Sequence, residues 1–385
     1  MKFTIEKKLL EKVMSHAVGI IERKQTVPIL GYVLMESSSV DNTIKITSTN
    51  MDLTIVDVVK AEVEQSGIYC VAANLLYDIT KKMKNNSKIT VSFDEAKGSV
   101  VIISNNSSFD IHYMNKDNFP PIIDATYDVK FLLNSEVLKK SINIAKVAML
   151  QDNTRFHLNG INMHYENDLG VNKLRFVATD LFRISCVSVL APNESQSMPS
   201  IIVSKKTVGE ILKLIEDTAA DEVCLSISDT RICFQLSDDS INTEFSSRLI
   251  NGTFPEYKSA LEVSNDKILL VNTEDFIDAI DRVSTVVMDS TNSIRLDIQS
   301  DKLILNGVSR ELGSATEEVE ASFNAFEPMT ICFNGKYLME ILEKIETKEV
   351  KFLLAESSSS TIIEPSEKTG QDMLFAIMPI EVVKN

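Results

Sequence analysis

The sequence predicts an α+β chain in which one domain type, roughly 130 residues long, is written three times. Three observations predict it. The phrase "NKDNFPPI", with Phe119-Pro120, returns 135 residues later as "NGTFPEYK", with Phe254-Pro255. A strand-then-helix start occurs three times, as "FTIEKKLLEKVM" from Phe3, "FLLNSEVLKKSI" from Phe131 and "LLVNTEDFIDAI" from Leu269. A second such start, "VAANLLYDITKKM" from Val71, "VSKKTVGEILKLI" from Val203 and "FNGKYLMEILEKI" from Phe333, recurs at spacings of 132 and 130 residues.

Each element follows from a local rule. In the first trio, Leu10, Leu138 and Phe276 are equivalent apolar positions, and so are Met14, Ile142 and Ile280. Asn134 and Asn272 stand at the N-cap, where a short side-chain acceptor satisfies free backbone N–H groups. In the second trio, Val208, Ile211, Leu212 and Ile215 repeat as Leu338, Ile341, Leu342 and Ile345. This is the i, i+3, i+4, i+7 stripe of a helix buried on one face. The first copy keeps Leu76, Ile79 and Met83 but has Thr80 in the stripe. Between the helices lie β-like runs bounded by turn residues, such as "NTIKITSTN", "SKITVSFDE" and "DKLILNGVS". Two helices and many strands per copy give domains over residues 1–127, 128–262 and 263–385, with the Phe-Pro phrases closing the first two. The third closes with "MLFAIMPIEVV" instead.

Composition narrows the function. The five cysteines (Cys70, Cys186, Cys224, Cys233 and Cys332) have no C-x-x-C spacing and lie mostly in apolar runs, which reads as buried free thiols in a reducing, cytoplasmic compartment. No run is long and apolar enough for a membrane span, and the amphipathic start "MKFTIEKKLLEKVM" does not read as a secretory signal. The formal net charge of −16 argues against coating nucleic acid over the whole surface, but not against basic residues gathered on one face. His16, His112, His157 and His164 show no metal spacing. G-x-S-x-G, G-x-x-x-x-G-K-[ST] and G-x-G-x-x-G are absent, and there are only 12 glycines to build phosphate-binding turns. No catalytic residue, metal site or cofactor is expected. The acidic pair Asp238-Asp239 reads as a solvated turn.

The order "TVPILG", "NFP", "RFHLNGI", "VATDLFRIS", "NGTFPEY" and "IMPI" resembles the bacterial DNA polymerase III β subunit family, the sliding clamps, over essentially the whole chain. The resemblance implies three DNA-clamp domains, each with two helices packed on antiparallel sheets. Two chains would close head to tail into a six-domain ring with the helices lining the hole. It implies a non-catalytic processivity factor that encircles duplex DNA irrespective of sequence and tethers the polymerase III α subunit, the clamp loader and other motif-bearing proteins. Lys24, Lys82, Lys146 and Lys206 would face DNA, although helix "TEDFIDAIDR" carries four acids and one Arg. Phe109 and Ile111 would meet Thr285 and Val286 across the dimer seam.

The resemblance also implies an apolar peptide cleft between the second and third domains. Its residues would be Arg155, Leu158, Thr179, Leu181, Phe182, Arg183, Ile184, Pro255, Ser259, Ala260, Ser358, Ser360, Ala376, Met378, Pro379 and Ile380. Where the family commonly has Gly-His this chain has Leu181-Phe182, Ser259 replaces a basic residue, and the tail "EVVKN" is longer. These departures bear on which partner motif is preferred. The alternative is a three-domain interaction scaffold unconnected with DNA, which would show no basic helix face.

Overall fold

The computed structural model describes residues 1–22, 26–122, 125–152, 154–287, 291–368 and 370–380. Lys24 and the tail after Ile380 lie outside the described residues. The expected helices form at Lys7–Ile20, Ala73–Lys82, Ser135–Ala145, Lys205–Asp217, Thr273–Ser284 and Gly335–Leu342. Their starts obey the capping rule in the later copies. Asn134 Oδ1 accepts from Glu136 N and Val137 N at 3.1 and 3.2 Å, and Asn272 Oδ1 accepts from Glu274 N and Asp275 N at 3.0 and 3.1 Å. Val208, Ile211, Leu212 and Ile215 are buried, as are Leu338, Ile341 and Leu342, so each helix lays its apolar stripe on the core. Ile345 is also buried but lies beyond the end of its helix. Thr80 fits the stripe because its hydroxyl donates to Leu76 O at 2.8 Å, which removes the cost of burying it.

The chain divides into two compact units. One comprises Met1–Lys139, Pro192–Pro199 and Val203–Leu249; the other comprises Lys140–Ala191, Ser200–Ile202 and Ile250–Asn385. Each holds one antiparallel sheet, of 13 and 12 strands among the described residues. The central sequence repeat contributes strands to both sheets. Its Ile241–Arg248 strand pairs with Leu53–Lys60 of the first copy, Thr243 opposite Asp57. Its Arg183–Leu190 strand pairs with Asp372–Ile377 of the third, Ile184 opposite Ala376. The first and second copies, and the second and third, are thus joined by continuous strand ladders.

Among the described residues, besides the strands at the sheet ends (Val129–Asn134, Glu62–Gln65, Ile201–Ser204 and Met329–Asn334), two more lack a second partner along most of their length. Ser107–Met114 pairs fully with Ser99–Ser104, but on its other side only Tyr113 and Met114 are matched, to Val71 and Cys70. Gly313–Phe323 pairs with Lys302–Ser309, and on its other side only Ala321, Ser322 and Phe323 are matched, to Val271, Leu270 and Leu269. Open edges of this kind invite pairing with another chain.

The ladder between the first two copies carries a buried polar link. Asp57, 1% exposed, accepts from Thr243 Oγ1 at 2.6 Å and lies 3.1 Å from His16 Nδ1. His16 Nε2 is 3.5 Å from Asp217 Oδ2. Removing the Asp57 carboxylate strands two buried partners. Asp57→Ala is expected to lower the urea unfolding midpoint by the equivalent of about 3 kcal/mol, and Asp57→Asn, which keeps an acceptor for Thr243, by less.

Candidate partner-docking site

The site is built on a hairpin. Strands Val171–Thr179 and Arg183–Leu190 end on the pair Thr179–Ile184. Thr179 Oγ1 accepts from Leu181 N at 3.0 Å and donates to Arg183 O at 2.8 Å. Asp180 Oδ1 accepts from Phe182 N and Arg183 N, both at 3.0 Å. These bonds close the turn with Leu181 in the left-handed region at φ 76°, a conformation that costs a bulky residue energy. The turn holds Leu181 and Phe182 outward, 47% and 62% exposed.

Arg183 points the other way. Its guanidinium is buried, with Nε 3.1 Å from Asp180 Oδ2 and Nη1 2.7 Å from Glu340 Oε2, and it lies over the Tyr337 ring 4.0 Å from the centroid. The cation is therefore committed to the protein and ties the hairpin to helix Gly335–Leu342. Burial raises the Tyr337 hydroxyl pKa, with Asp180 and Glu340 adding to the effect against Arg183.

The adjoining wall comes from the end of the chain. Met378 N donates to Phe182 O, and Ile380 N to Cys332 O, both at 2.8 Å. Pro379, which has no N–H, falls between these two bonds. Asn265 Nδ2 donates to Leu353 O and Ser360 O at 2.8 and 2.9 Å, fixing the loop that presents Ser360. These segments enclose a cavity of about 180 Å³ lined by Thr179, Leu181, Phe182, Arg183, Ile184, Pro255, Glu256, Tyr257, Ala260, Ser360, Ala376 and Met378.

Most of the expected cleft is thus brought together. Arg155, Leu158, Ser259, Ser358, Pro379 and Ile380 do not line the cavity. Leu158 is 1% exposed, held in a 3-10 turn whose carbonyl accepts from Leu150 N at 3.1 Å, so its side chain belongs to the core. Arg155, Ser259 and Ser358 are exposed. Glu256 and Tyr257 line the wall and were not expected. Their neighbour Pro255 was the signal that could have found them, since the linker passes along the wall as one segment.

Tyr257 is held from behind. Asn162 Nδ2 donates to Ser200 Oγ at 2.9 Å and Ile201 O at 3.1 Å, leaving Oδ1 to accept from His164 Nδ1 at 2.8 Å. His164 Nε2 must then accept from the Tyr257 hydroxyl at 3.1 Å. Burial drives the His164 pKa down to about 4, with Arg175 and Lys258 adding to the effect against Glu166.

The basic residues are less uniform. Lys82 is exposed and makes no ion pair among the described residues. Lys206 Nζ donates to Ile20 O at 3.2 Å and lies 3.7 Å from Glu22. Lys146 sits half-buried in a 3-10 turn after helix Ser135–Ala145. Lys139, Lys140 and Lys213 pair with Glu216, Glu346 and Glu210 at 3.5, 2.6 and 2.8 Å. At the expected seam, Phe109 is 37% exposed on its open-edged strand, whereas Ile111 packs partly against the core. Thr285 is exposed and Val286 half-buried at the end of helix Thr273–Ser284. Among the described residues no group of His, Cys, Asp and Glu could hold a metal ion, and no helix is long and apolar enough to cross a membrane.

Repeated two-helix domains on antiparallel sheets, joined edge to edge, define a clamp-type protein. Three family descriptions match the chain in order: DNA polymerase III beta subunit, N-terminal domain, over residues 1–124; central domain, over 132–256; and C-terminal domain, over 258–381. The chain belongs to the DNA polymerase III beta subunit family, the beta sliding clamps. It is 29% identical to the beta sliding clamp of Caulobacter vibrioides, covering 99% of this chain and 100% of that protein. It is 27% identical to that of Pseudomonas aeruginosa over the same shares. The sliding clamp of Bartonella birtlesii, in a crystal structure bound to griselimycin, superposes with a TM-score of 0.93 at 32% identity, covering 99% of this chain and 100% of that one. A Caulobacter crescentus clamp gives 0.94 at 28%, covering 99% of each chain. The family is a non-catalytic processivity factor of DNA replication, which sets aside a scaffold unconnected with DNA.

The His164 arrangement has a testable pH consequence. Its folded pKa lies below the ordinary histidine value of about 6.5, so the unfolded chain takes up the proton first as pH falls. Stability should decline from about pH 6.5 towards pH 4, with a slope of up to about 1.4 kcal/mol per pH unit from this group. His164→Gln is expected to flatten the slope in chemical unfolding measured across that range.

Proposed function

We propose that this chain closes with a second copy into a ring of six domains around duplex DNA, and that the cavity beside Phe182 docks partner proteins. The observation that carries the ring is the repetition of strand joints. Ile241–Arg248 pairs with Leu53–Lys60, and Asp372–Ile377 with Arg183–Leu190. Ser107–Met114 occupies the same place in the first copy as Ile241–Arg248 and Asp372–Ile377 do in theirs. Gly313–Phe323 stands likewise for Leu53–Lys60 and Arg183–Leu190. Among the described residues both have an edge left open along most of its length at the place where the other copies form a joint. Pairing one with the other in a second chain repeats the internal joint and closes head to tail, consuming both of these edges.

Phe109 and Ile111, with Thr285 and Val286 of the second chain, are the side chains we assign to that seam. Phe109→Ala with Val286→Asp is expected to shift dimer to monomer at sub-micromolar protein, since a buried apolar side chain contributes about 1.5–3 kcal/mol. An unchanged mass by light scattering would place the seam elsewhere.

Enclosure rather than affinity explains how a chain of net charge −16 serves DNA. Lys24, Lys82, Lys146 and Lys206 are the residues we assign to the duplex, and the pairing of Lys206 with Ile20 O and Glu22 supports a weak contact. The protein loaded on nicked circular plasmid should be retained and should slide off the same plasmid once linearised. Replacing the four lysines by Glu should slow loading and leave retention on the circle intact. Equal loss from circle and line would overturn the topological reading.

The domains run over residues 1–127, 128–262 and 263–385 in this reading. The cavity takes a short apolar peptide motif carried by the polymerase III α subunit, the clamp loader and other replication and repair proteins of the cytoplasm. Apolar side chains and a neutralised arginine favour such a ligand. Griselimycin, found on the Bartonella birtlesii relative, is taken by the same cavity. Deleting residues from Met378 onward is expected to abolish griselimycin and peptide binding while dimer mass and retention on circular DNA persist.

A further inference from the structure

A short segment follows the middle hairpin of every copy, and in two of the three it pairs with that copy's first strand. Ala61, Ala191 and Ala321 mark its start, at spacings of 130 residues. In the first copy the next residues form strand Glu62–Gln65, which pairs with Lys2–Glu6, Phe3 opposite Val63 and Thr4 opposite Glu62. In the third, the end of Gly313–Phe323 pairs with Lys267–Asn272, Leu269 opposite Phe323 and Leu270 opposite Ser322. The corresponding strand of the second copy, Val129–Asn134, pairs with Glu222–Ile227 alone and stands at the end of its sheet.

Pro192 accounts for the difference. It follows Ala191 where Glu62 and Ser322 follow their alanines, and it has no N–H to give to a ladder. Its carbonyl is taken as well, accepting from Ser195 N at 3.0 Å and Ser195 Oγ at 2.7 Å where the chain enters the 3-10 turn Asn193–Ser197. Leu132, the counterpart of Thr4 and Leu270, is therefore unpaired on that side. Ser135 N donates to Asp221 O at 2.9 Å, so Leu133 and Phe131 bond the same neighbour and the backbone groups of Leu132 and Lys130 face the open side. Leu132 is 53% exposed, whereas Thr4 and Leu270 are half-buried. Beside this edge runs an open groove of about 820 Å³ whose walls include Lys130, Leu132, Pro192, Glu194, Asp221 and Glu222. The three acids and Lys130 are exposed and make no ion pair among the described residues.

We propose that the open edge of Val129–Asn134 takes an extended, basic segment of a partner protein, which joins the sheet as the strand this copy lacks. The other two copies show what the place holds when it is filled, an extended strand bonded through alternate residues. Main-chain bonds to Lys130 and Leu132 supply the pairing, and an apolar residue of the segment covers Leu132. Glu194, Asp221 and Glu222, three uncompensated acids against one lysine, set the charge of the segment. They oppose a second chain of this protein, which brings the same three acids to the same edge, and they oppose a phosphate backbone. The site is separate from the cavity beside Phe182 and does not depend on the reading of that cavity.

The experiment adds a six-residue peptide of alternating lysine and valine, matched to the length of the strand, to the full-length protein and follows amide hydrogen exchange by mass spectrometry. Two control peptides accompany it, the same sequence methylated on every backbone nitrogen and one with glutamate in place of lysine. Saturating lysine–valine peptide should slow exchange over residues 129–134 by at least about tenfold, and neither control should change it. Asp221→Lys with Glu222→Lys, checked for folding by thermal unfolding, should abolish the protection. Equal protection by the methylated peptide would mean attraction without strand pairing and would overturn the proposal. No protection by the lysine–valine peptide on the wild-type protein would overturn it too. Protection that grows with protein concentration in the absence of peptide would assign the edge to a second chain instead.

Discussion

The structure depends on one constraint, that a β-strand's free edge must be paired, covered or exposed at a cost. Here the sheets are satisfied by running from one sequence repeat into the next. Thr243 opposite Asp57 and Ile184 opposite Ala376 are the registers that achieve it. Because pairing fixes register and register fixes which face each side chain occupies, these joints also decide what is buried. Asp57 is sealed against Thr243 and His16 at one, and Ala376 lines the cavity at the other.

The cavity proposed for partners is a by-product of such a joint. A strand that ends on a turn leaves a notch where the two chains of backbone part. The hydrogen bonds of Thr179 and Asp180 hold the turn, and the Arg183–Glu340 pair with Tyr337 braces it. The His164–Tyr257 bond supports the linker behind it. Thr179, Arg183 and Tyr257 also line the cavity, whereas Asp180, Glu340, Tyr337 and His164 do not. Their effect is to keep Leu181, Phe182 and Met378 in place before a ligand arrives, so that little ordering remains to oppose binding.

The distribution of charge is compatible with the proposed enclosure of DNA. Several helix lysines are neutralised by nearby acids, Lys139 by Glu216 and Lys140 by Glu346 among them, and Arg282 is bound bidentately by Glu317. Strong, persistent phosphate contacts would impede movement along DNA, and their loss with salt would limit retention.

The sequence by itself determined the repeat, the helices and the caps, because these rest on local rules. Apolar stripes at Val208–Ile215 and Leu338–Ile345 have a helical period, and Asn134 and Asn272 can cap only the residues that follow them. It also supplied most of the cleft, though through likeness to a family rather than through spacing, since Thr179, Pro255 and Met378 are far apart in the chain. Only the tertiary structure decided that Leu158 belongs to the core, that Arg183 is spent on Glu340, and that Tyr257 lines the wall. It alone decided that the central repeat is shared between two compact units. The physical reason is the same in each case. Burial and pairing across strands depend on residues distant in the chain, such as Glu340 for Arg183 and His164 for Tyr257, and no local pattern records which of them will be opposite.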